Sequence, residues 1–317
     1  MAAPFWRDSV VGALSSPEGR TARLPQDAET LSERLPALLV NAERIANTVA
    51  HGIHGRRRPG TGETFWQFRH HMEGDTAASI DWRQSAKTQS YFVRENEWEV
   101  AESVWLWCDQ SASMNYSYED GLPTKKDRAL ILTMALGHLL LRAGERVGVL
   151  GEKLPPLLGL SAYARLGHSL LESDKGNAGL PAAVELPRHA RTVIVSDFLA
   201  PWDVLHERLN FLAHAHARGH LVQVLDPAEE EFPFSGRTVF EDLEDHSELV
   251  VGRAERLGDE YREKLGALKS ALSHWARRSG WTFTQHRTDR APHLTLLQIH
   301  GLLSDPMVRD HRRRGAW

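Results

Sequence analysis

The chain of 317 residues is 41% hydrophobic and 25% charged, a balance typical of a soluble globular protein with enough apolar residues for a sizeable core. Its formal net charge of −4 argues against nucleic-acid binding, because surfaces that follow a phosphate backbone need an excess of lysine and arginine. A single cysteine, Cys108, excludes an internal disulfide. Since the sequence has neither a signal-peptide pattern nor a long apolar run, we expect a cytoplasmic protein without membrane insertion.

Residues 1–100 are expected to form an N-terminal region that consists of an arm, a helix and a β segment. After the arm, apolar residues recur at helical spacing from Ser32 to Val49 and predict a helix. The glycine-rich stretch GIHGRRRPGTGETF predicts a loop. The stretch SYFVRENEWEVAESVWLWCD is rich in Val, Tyr, Phe and Trp, and predicts β-structure with a break near Asn96.

Residues 101–303 alternate between short apolar stretches and longer amphipathic ones, which is typical of a parallel sheet covered by helices. Strands are predicted in RVGVL, RTVIVSD, HLVQVLD and WTFTQHR, and the helix before HLVQVLD is expected to end at Gly219. Residues 232–252 predict a small β insertion, and residues 304–317 form a basic tail. The predicted fold class is therefore α/β, with a mostly parallel, Rossmann-like sheet and helices on both faces.

Two of the predicted strands end in an aspartate, Asp109 and Asp197. The carboxyl ends of parallel strands meet at one edge of a sheet, where open α/β folds bind ligands. After the first strand, Asp109, Ser111 and Ser113 form a D-x-S-x-S motif that offers one carboxylate and two hydroxyls. Since Mg²⁺ prefers such oxygen ligands, these residues and Asp197 predict a site for Mg²⁺, or for Mn²⁺ or Ca²⁺. Alternatively, the serines only cap the following helix and Asp109 only orders a turn.

This arrangement resembles the metal-ion-dependent adhesion site (MIDAS) of von Willebrand factor A domains, in which D-x-S-x-S, a threonine and a distal aspartate surround a cation. The resemblance implies a von Willebrand factor A-like fold. No threonine occurs in the expected loop, SDKGNAGLPAAVEL, where Ser173, Asp174, Asn177 or water would have to replace it. A vacant site therefore stays an open alternative.

The upstream stretch GETFWQFRHHMEGDTAASIDWRQSAKTQSYFVRENEWE resembles the signature of a bacterial family, domain of unknown function 58. The signature residues are Arg69, Gly74, Asp75, Asp81, Trp82, Arg94, Glu95 and Glu97. A D-P-x-E element at Asp226–Glu229 and a T-D element at Thr288 and Asp289 extend the resemblance, which covers Ile53 to Leu303. It implies a physical association with MoxR-type AAA+ ATPases in protein maturation or complex assembly.

Together these observations predict a non-enzymatic, metal-dependent adaptor that binds a protein partner, with a MoxR-type AAA+ ATPase as the partner implied by the resemblance. No catalytic residue and no organic cofactor is predicted. One alternative is a metal-dependent hydrolase, a phosphoesterase or nuclease, that uses the same acids with Asp81 or Glu95. Another is a purely structural interaction module. Zinc is disfavoured, because no cysteine pair accompanies the paired histidines.

Overall fold

The computed structural model describes residues 28–53, 65–70, 82–87, 90–96, 103–172, 179–187, 190–214, 218–241, 243 and 248–304. The chain divides into two compact units. The smaller unit is Ile53–Glu102, and the larger unit combines Met1–Gly52 with Ser103–Trp317.

The smaller unit contains two strands, β1 (Phe65–His70) and β2 (Phe92–Asn96), which pair in antiparallel fashion. A one-turn helix, α2 (Trp82–Ser85), precedes β2, and the Ser85 hydroxyl accepts a hydrogen bond of 2.9 Å from the backbone N–H of Phe92. The strand β2 lies within the stretch predicted as β-structure, and residues 97–102, which follow the predicted break near Asn96, lie outside the described residues. The strand β1 and the helix α2 were not predicted, because elements of six and four residues are too short to show a clear period.

The larger unit begins with helix α1 (Ala28–Ile53), which extends the predicted helix at both ends. Its other helices are α3 (Lys125–Arg142), α4 (Tyr163–Glu172), α5 (Trp202–His214), α6 (Pro227–Glu231), α7 (Glu255–Arg278) and α8 (Pro292–Ser304). Its strands are β3 (Ser103–Cys108), β4 (Arg146–Val149), β5 (Arg191–Ser196), β6 (Arg218–Leu225), β7 (Thr238–Glu241), β8 (Glu248–Val251) and β9 (Thr282–Arg287). Every helix in the described ranges is too short or too polar to span a membrane.

Five of these strands form one sheet in the order β4-β3-β5-β6-β9, and every neighbouring pair in it is parallel. The predicted α/β class with a mostly parallel sheet is thus confirmed. Strands β7 and β8 form a separate antiparallel pair within the stretch where the sequence predicts an insertion. Their aromatic residue Phe240 packs with Phe232 and Phe234 in a small cluster away from the main core.

Helices cover both faces of the parallel sheet, because successive residues of a strand point to opposite sides. The side chains of Leu106 on β3 and Leu166 on α4 both lie against Gly137 of α3. Helices α3 and α4 therefore cover the same face of the sheet. Trp107 points to the other face, where it packs into a core formed largely by α5, α7 and the neighbouring strands. Helix α1 contacts helix α3, because Arg142 of α3 donates a 2.9 Å hydrogen bond to the side-chain oxygen of Asn47 on α1.

The predicted end of a helix at Gly219 is wrong. Helix α5 ends at His214, and Gly219 lies inside β6. The aromatic ring of Trp281 packs on this glycine so closely that a Cβ atom there would lie 2.2 Å from the ring. The glycine is therefore required by close packing in the sheet and not by a helix terminus.

A buried histidine generates a prediction for the pH dependence of folding. His220 of β6 is 1% exposed, its Nδ1 contacts the hydroxyl of Thr282, and burial lowers its pKa from 6.5 to about 4. Between pH 6.5 and about pH 4, the unfolded chain therefore binds more protons than the folded chain, so the free energy of unfolding decreases as the pH falls. At pH 5 the loss is roughly 2 kcal/mol of unfolding free energy.

We expect His220→Asn, which cannot titrate, to lose less stability than the wild type between pH 7 and pH 5 in urea unfolding. The matched control is His168→Asn, since His168 is exposed on α4. An identical pH slope for His220→Asn and the wild type would contradict the assignment.

Candidate functional site

The sheet order places a topological switch point beside β3. From β3 the chain crosses to β4 on one side and later to β5 on the other. Asp109 directly follows β3 and Asp197 directly follows β5, and the two strand ends adjoin through a 2.9 Å hydrogen bond from the Asp109 N–H to the Val195 carbonyl. Crevices at such points are where open α/β sheets bind ligands.

The D-x-S-x-S loop is connected to Asp197 by a chain of short contacts. The backbone N–H of Ser111 donates to Asp109 Oδ1 at 2.9 Å, and the Ser111 and Ser113 hydroxyl oxygens lie 3.0 Å apart. The Ser113 hydroxyl then donates to Asp197 Oδ2 at 3.3 Å. All four residues predicted as metal ligands are therefore brought together.

The alternative role of the serines as helix caps does not match their hydrogen bonds. Ser111 precedes a 3-10 turn, Ala112–Met114, but its side chain makes no capping hydrogen bond. Helix α3 is capped instead by Thr124, whose side chain accepts from the Asp127 N–H at 3.1 Å. Asp109 does order its own turn through Ser111, so that part of the alternative is compatible with the geometry.

Asp109 carries an unfavourable charge in this setting. It is 1% exposed, and its Oδ2 accepts a 2.6 Å hydrogen bond from the Ser196 hydroxyl. Burial, together with the nearby charge of Asp197, nevertheless raises the pKa of Asp109. A cation beside this carboxylate would therefore be favourable.

A buried lysine supplies part of the compensating charge. Lys125, the first residue of α3, is 1% exposed and its Nζ lies 2.7 Å from Asp197 Oδ2 and 2.6 Å from Glu229 Oε1. Burial opposes the ammonium charge, but the attraction of Asp197 and Glu229 outweighs it and raises the pKa of Lys125. Lys125 is thus a permanent cation that neutralises one side of Asp197.

Glu229 reaches Lys125 because the D-P-x-E element forms a capping box. Asp226 caps α6 by accepting from the Ala228 N–H at 2.9 Å, and Glu229 Oε2 accepts from the Asp226 N–H at 2.9 Å. Pro227 occupies the first helical position, where its missing N–H costs nothing. The second carboxylate oxygen of Glu229 is then free of the cap and contacts Lys125.

The charges at this edge do not balance within the described part of the chain. Four carboxylates there are buried, and they belong to Asp109, Asp197, Asp226 and Glu229, at 1%, 2%, 1% and 4% exposure. One buried ammonium, that of Lys125, faces them. Because buried charges are costly unless they are paired, the excess of negative charge favours a further cation or a proton at Asp109.

The loop expected to provide the missing threonine returns to the site at Gly179. This residue has a φ of +72°, which favours glycine, and a Cβ atom there would lie 3.4 Å from Asp109 Oδ2 and 3.5 Å from the Ser111 hydroxyl. The absence of a side chain thus leaves space beside the carboxylate. Ser173, Asp174 and Asn177 lie outside the described residues.

The donor set fits a hard divalent cation only if hydroxyls and water contribute. Among the described residues, no group of three or more His, Cys, Asp and Glu side chains is arranged to hold a metal ion. Two carboxylates and two serine hydroxyls are nevertheless ligands that Mg²⁺ accepts, with water in the remaining positions. Asp109, Ser111, Ser113 and Asp197 would hold such an ion.

The signature residues of the N-terminal region are only partly described. Arg69 lies on β1, Arg94 and Glu95 lie on β2, and Trp82 of α2 is 59% exposed. Gly74, Asp75, Asp81 and Glu97 fall outside the described residues. The role of Asp81 or Glu95 in a hydrolase therefore stays a prediction. Further along the chain, the Thr288 hydroxyl lies 3.5 Å from Asp226 Oδ2, so the T-D and D-P-x-E elements meet.

Sequence reasoning missed Lys125 and the contact of Glu229. A lysine in the first turn of a helix is unfavourable next to the positive end of the helix dipole, so Lys125 was a detectable anomaly. The D-x-x-E spacing after a strand was the signal of a capping box. Neither signal shows that the side chains of Lys125 and Glu229 contact each other.

We expect Lys125→Met to destabilise the fold by about 3–5 kcal/mol, because it leaves buried carboxylates unpaired. In a Glu229→Gln background the same substitution costs less, since one of the two carboxylates is gone. The neighbouring Lys126→Met is the control, and its effect is expected to be much smaller. Urea unfolding of the four variants measures the coupling, and additive effects of Lys125→Met and Glu229→Gln would contradict the pairing.

Comparison with known proteins finds a matching family model and similar chains in mycobacteria. The family model described as "Protein of unknown function DUF58" matches residues 67–270. An uncharacterized protein of Mycobacterium bovis is 25% identical over 279 residues, which cover 83% of this chain and 87% of the relative. Uncharacterized proteins from two strains of Mycobacterium tuberculosis match with the same identity and coverage. No solved structure gives a significant match.

The matched region contains β3, α3, β5 and α6, and with them every residue of the site. The chain belongs to the family described as proteins of unknown function DUF58.

Proposed function

We propose that the protein is a metal-dependent protein-interaction adaptor with a von Willebrand factor A-like site at the carboxyl edge of its sheet. The observation that supports this proposal most strongly is the excess of buried carboxylates over buried ammonium groups around Asp109 and Asp197 in the described residues. A divalent cation held there would provide a Lewis-acidic position for a carboxylate of the protein partner.

The residues of the site have separate tasks in this proposal. Asp109 and Asp197 provide charge, and the hydroxyls of Ser111 and Ser113 provide neutral oxygen atoms between them. The Ser196 hydroxyl and the Ser111 N–H hold the two oxygens of Asp109 in place. Ser111 and Ser113 are half-buried whereas Asp109 and Asp197 are buried, so a partner would approach from the side of the serines.

Lys125 limits what the site can bind. Its ammonium group already takes one lone pair of Asp197 Oδ2, the oxygen that also accepts from Ser113. A cation that shares Asp197 therefore experiences repulsion from Lys125, whereas Asp109 has no such neighbouring cation among its described contacts. We infer that Asp109 is the principal anionic ligand and that Asp197 is the secondary one.

The first test is metal binding by the purified protein. Saturating Mg²⁺ or Mn²⁺ is expected to stabilise the wild type by about 2.7 kcal/mol when the free metal is 100 times the Kd. Asp109→Asn is expected to lose this stabilisation, yet to be at least as stable as the wild type in EDTA, because the amide is uncharged beside Asp197. Asp120→Asn is the control, since Asp120 is exposed on the same loop. Equal metal stabilisation of Asp109→Asn and the wild type would refute the site.

The second test concerns the partner. Immobilised wild-type protein is expected to capture a purified MoxR-type AAA+ ATPase in Mg²⁺, and to release it on addition of EDTA. Asp109→Asn is expected to reduce capture at least tenfold in Mg²⁺, whereas Asp120→Asn should bind as the wild type does. Capture that is insensitive to EDTA would contradict the metal dependence, and a lack of capture under all conditions would reject this partner.

A further inference from the structure

A cleft elsewhere in the larger unit is lined by basic residues, in contrast to the carboxylate edge of the sheet. It is a cleft of about 600 Å³ between α1, the segment that leads into α3, and the first residues of α8. Its volume is within the range of sites for small organic ligands, roughly 300–1,000 Å³. None of its lining residues is an acid.

Three of the residues that line this cleft are basic: Arg44 of α1, Arg128 of α3 and His293 of α8. Neither arginine forms an ion pair with any described residue. Arg44 donates only to the amide oxygen of Asn41, at 3.3 Å, and Arg44 itself is exposed. Two guanidinium groups from different helices thus line one cleft without a carboxylate between them.

Arg128 is the more constrained of the two arginines. It is half-buried, its Nη2 donates to the Thr288 carbonyl at 2.6 Å, and its buried Nε has no partner in the described part of the chain. Burial lowers the pKa of Arg128, and the charge of Asp289 opposes this effect only in part. Asp289 is itself bound by Arg287 at 2.9 Å. A half-buried guanidinium without its own anion is the kind of group that an external oxyanion satisfies.

The remaining walls of the cleft are partly apolar. Ile45, Leu122 and Ile131 provide aliphatic side chains, while Asn41 and Thr48 add neutral polar groups. Helix α8 begins at the cleft with Pro292, and its first turn contains no acidic residue. Such a lining matches a molecule that has an anionic head and an apolar body.

We propose that this cleft binds a small organic anion, with a phosphate or carboxylate head held between Arg44 and Arg128 and an apolar body packed against Ile45 and Ile131. The site is separate from the Asp109 site and does not depend on the proposed adaptor function. Both head groups accept paired N–H donors from a guanidinium, which is why they share one recognition chemistry.

The test is isothermal titration of the full chain in EDTA at low ionic strength with four probes: phenyl phosphate, benzoate, inorganic phosphate and benzyl alcohol. Phenyl phosphate or benzoate is expected to saturate one site and to bind at least about tenfold more tightly than either control probe. Of the controls, inorganic phosphate lacks the apolar body and benzyl alcohol lacks the anionic head. The stronger of the two aromatic anions identifies the preferred head group. The EDTA removes any contribution from metal at Asp109, so failure here leaves the metal tests unaffected.

Arg44→Gln and Arg128→Gln are each expected to weaken binding of the aromatic anions at least about tenfold. Because Arg44 is exposed, its substitution should leave the fold intact even if Arg128→Gln destabilises it. Arg165→Gln, an exposed arginine of α4, is the matched control and is expected to bind as the wild type does. The proposal is overturned if neither aromatic anion saturates a site, if Arg44→Gln binds the aromatic anions unchanged, or if benzyl alcohol or inorganic phosphate binds as tightly as the stronger of the two aromatic anions.

Discussion

The ion pairs of Lys125 with Asp197 and Glu229 are the interaction on which the carboxyl edge of the sheet depends. Each of these side chains is almost fully buried, and a buried charge is tolerated only when it is paired and hydrogen-bonded. The start of α3, the end of β5 and the capped turn of α6 are therefore held in one arrangement. The D-x-S-x-S loop rests on the same arrangement, because Ser113 contacts the oxygen of Asp197 that Lys125 also binds.

The compensation by Lys125 is incomplete, and this incompleteness gives the site its chemical character. A fully neutral buried network would be a structural element and would have no affinity for a further ion. The described hydrogen bonds of Asp109 come from Ser111 and Ser196 and not from Lys125, and burial raises the pKa of Asp109. Gly179 leaves the neighbouring space free of a side chain. The proposed cation site and the structural ion pair of Lys125 therefore share one residue, Asp197.

Helix α3 connects two regions of opposite charge. Its first residue, Lys125, points into the carboxylate cluster, and Arg128, one turn later, lines the cleft beside α1 and α8. The T-D element also contributes to both regions, since the Thr288 hydroxyl lies near Asp226 while its carbonyl accepts from Arg128. The family elements that are far apart in sequence are thus joined through the first turns of α3.

Local patterns in the sequence were sufficient to predict the five strands of the parallel sheet. An apolar run such as that of β5 depends only on neighbouring residues, and it was predicted. The position of Gly219 was misjudged, because glycine marks a helix end as readily as it marks a close contact with a distant ring such as that of Trp281. The strand β1 was missed, since its pairing with β2 is not visible in a stretch of six residues.

The same distinction holds for the site. The sequence alone determined that Asp109, Ser111, Ser113 and Asp197 follow strands of one parallel sheet and so belong to one edge of it. That β3 and β5 are direct neighbours was decided by the tertiary structure. Only the tertiary structure decided that Lys125 contacts Asp197 and Glu229, across separations of 72 and 104 residues. Long-range ion pairs produce no periodic pattern in a sequence. Their desolvation penalty and their electrostatic attraction both arise only when folding buries the two partners.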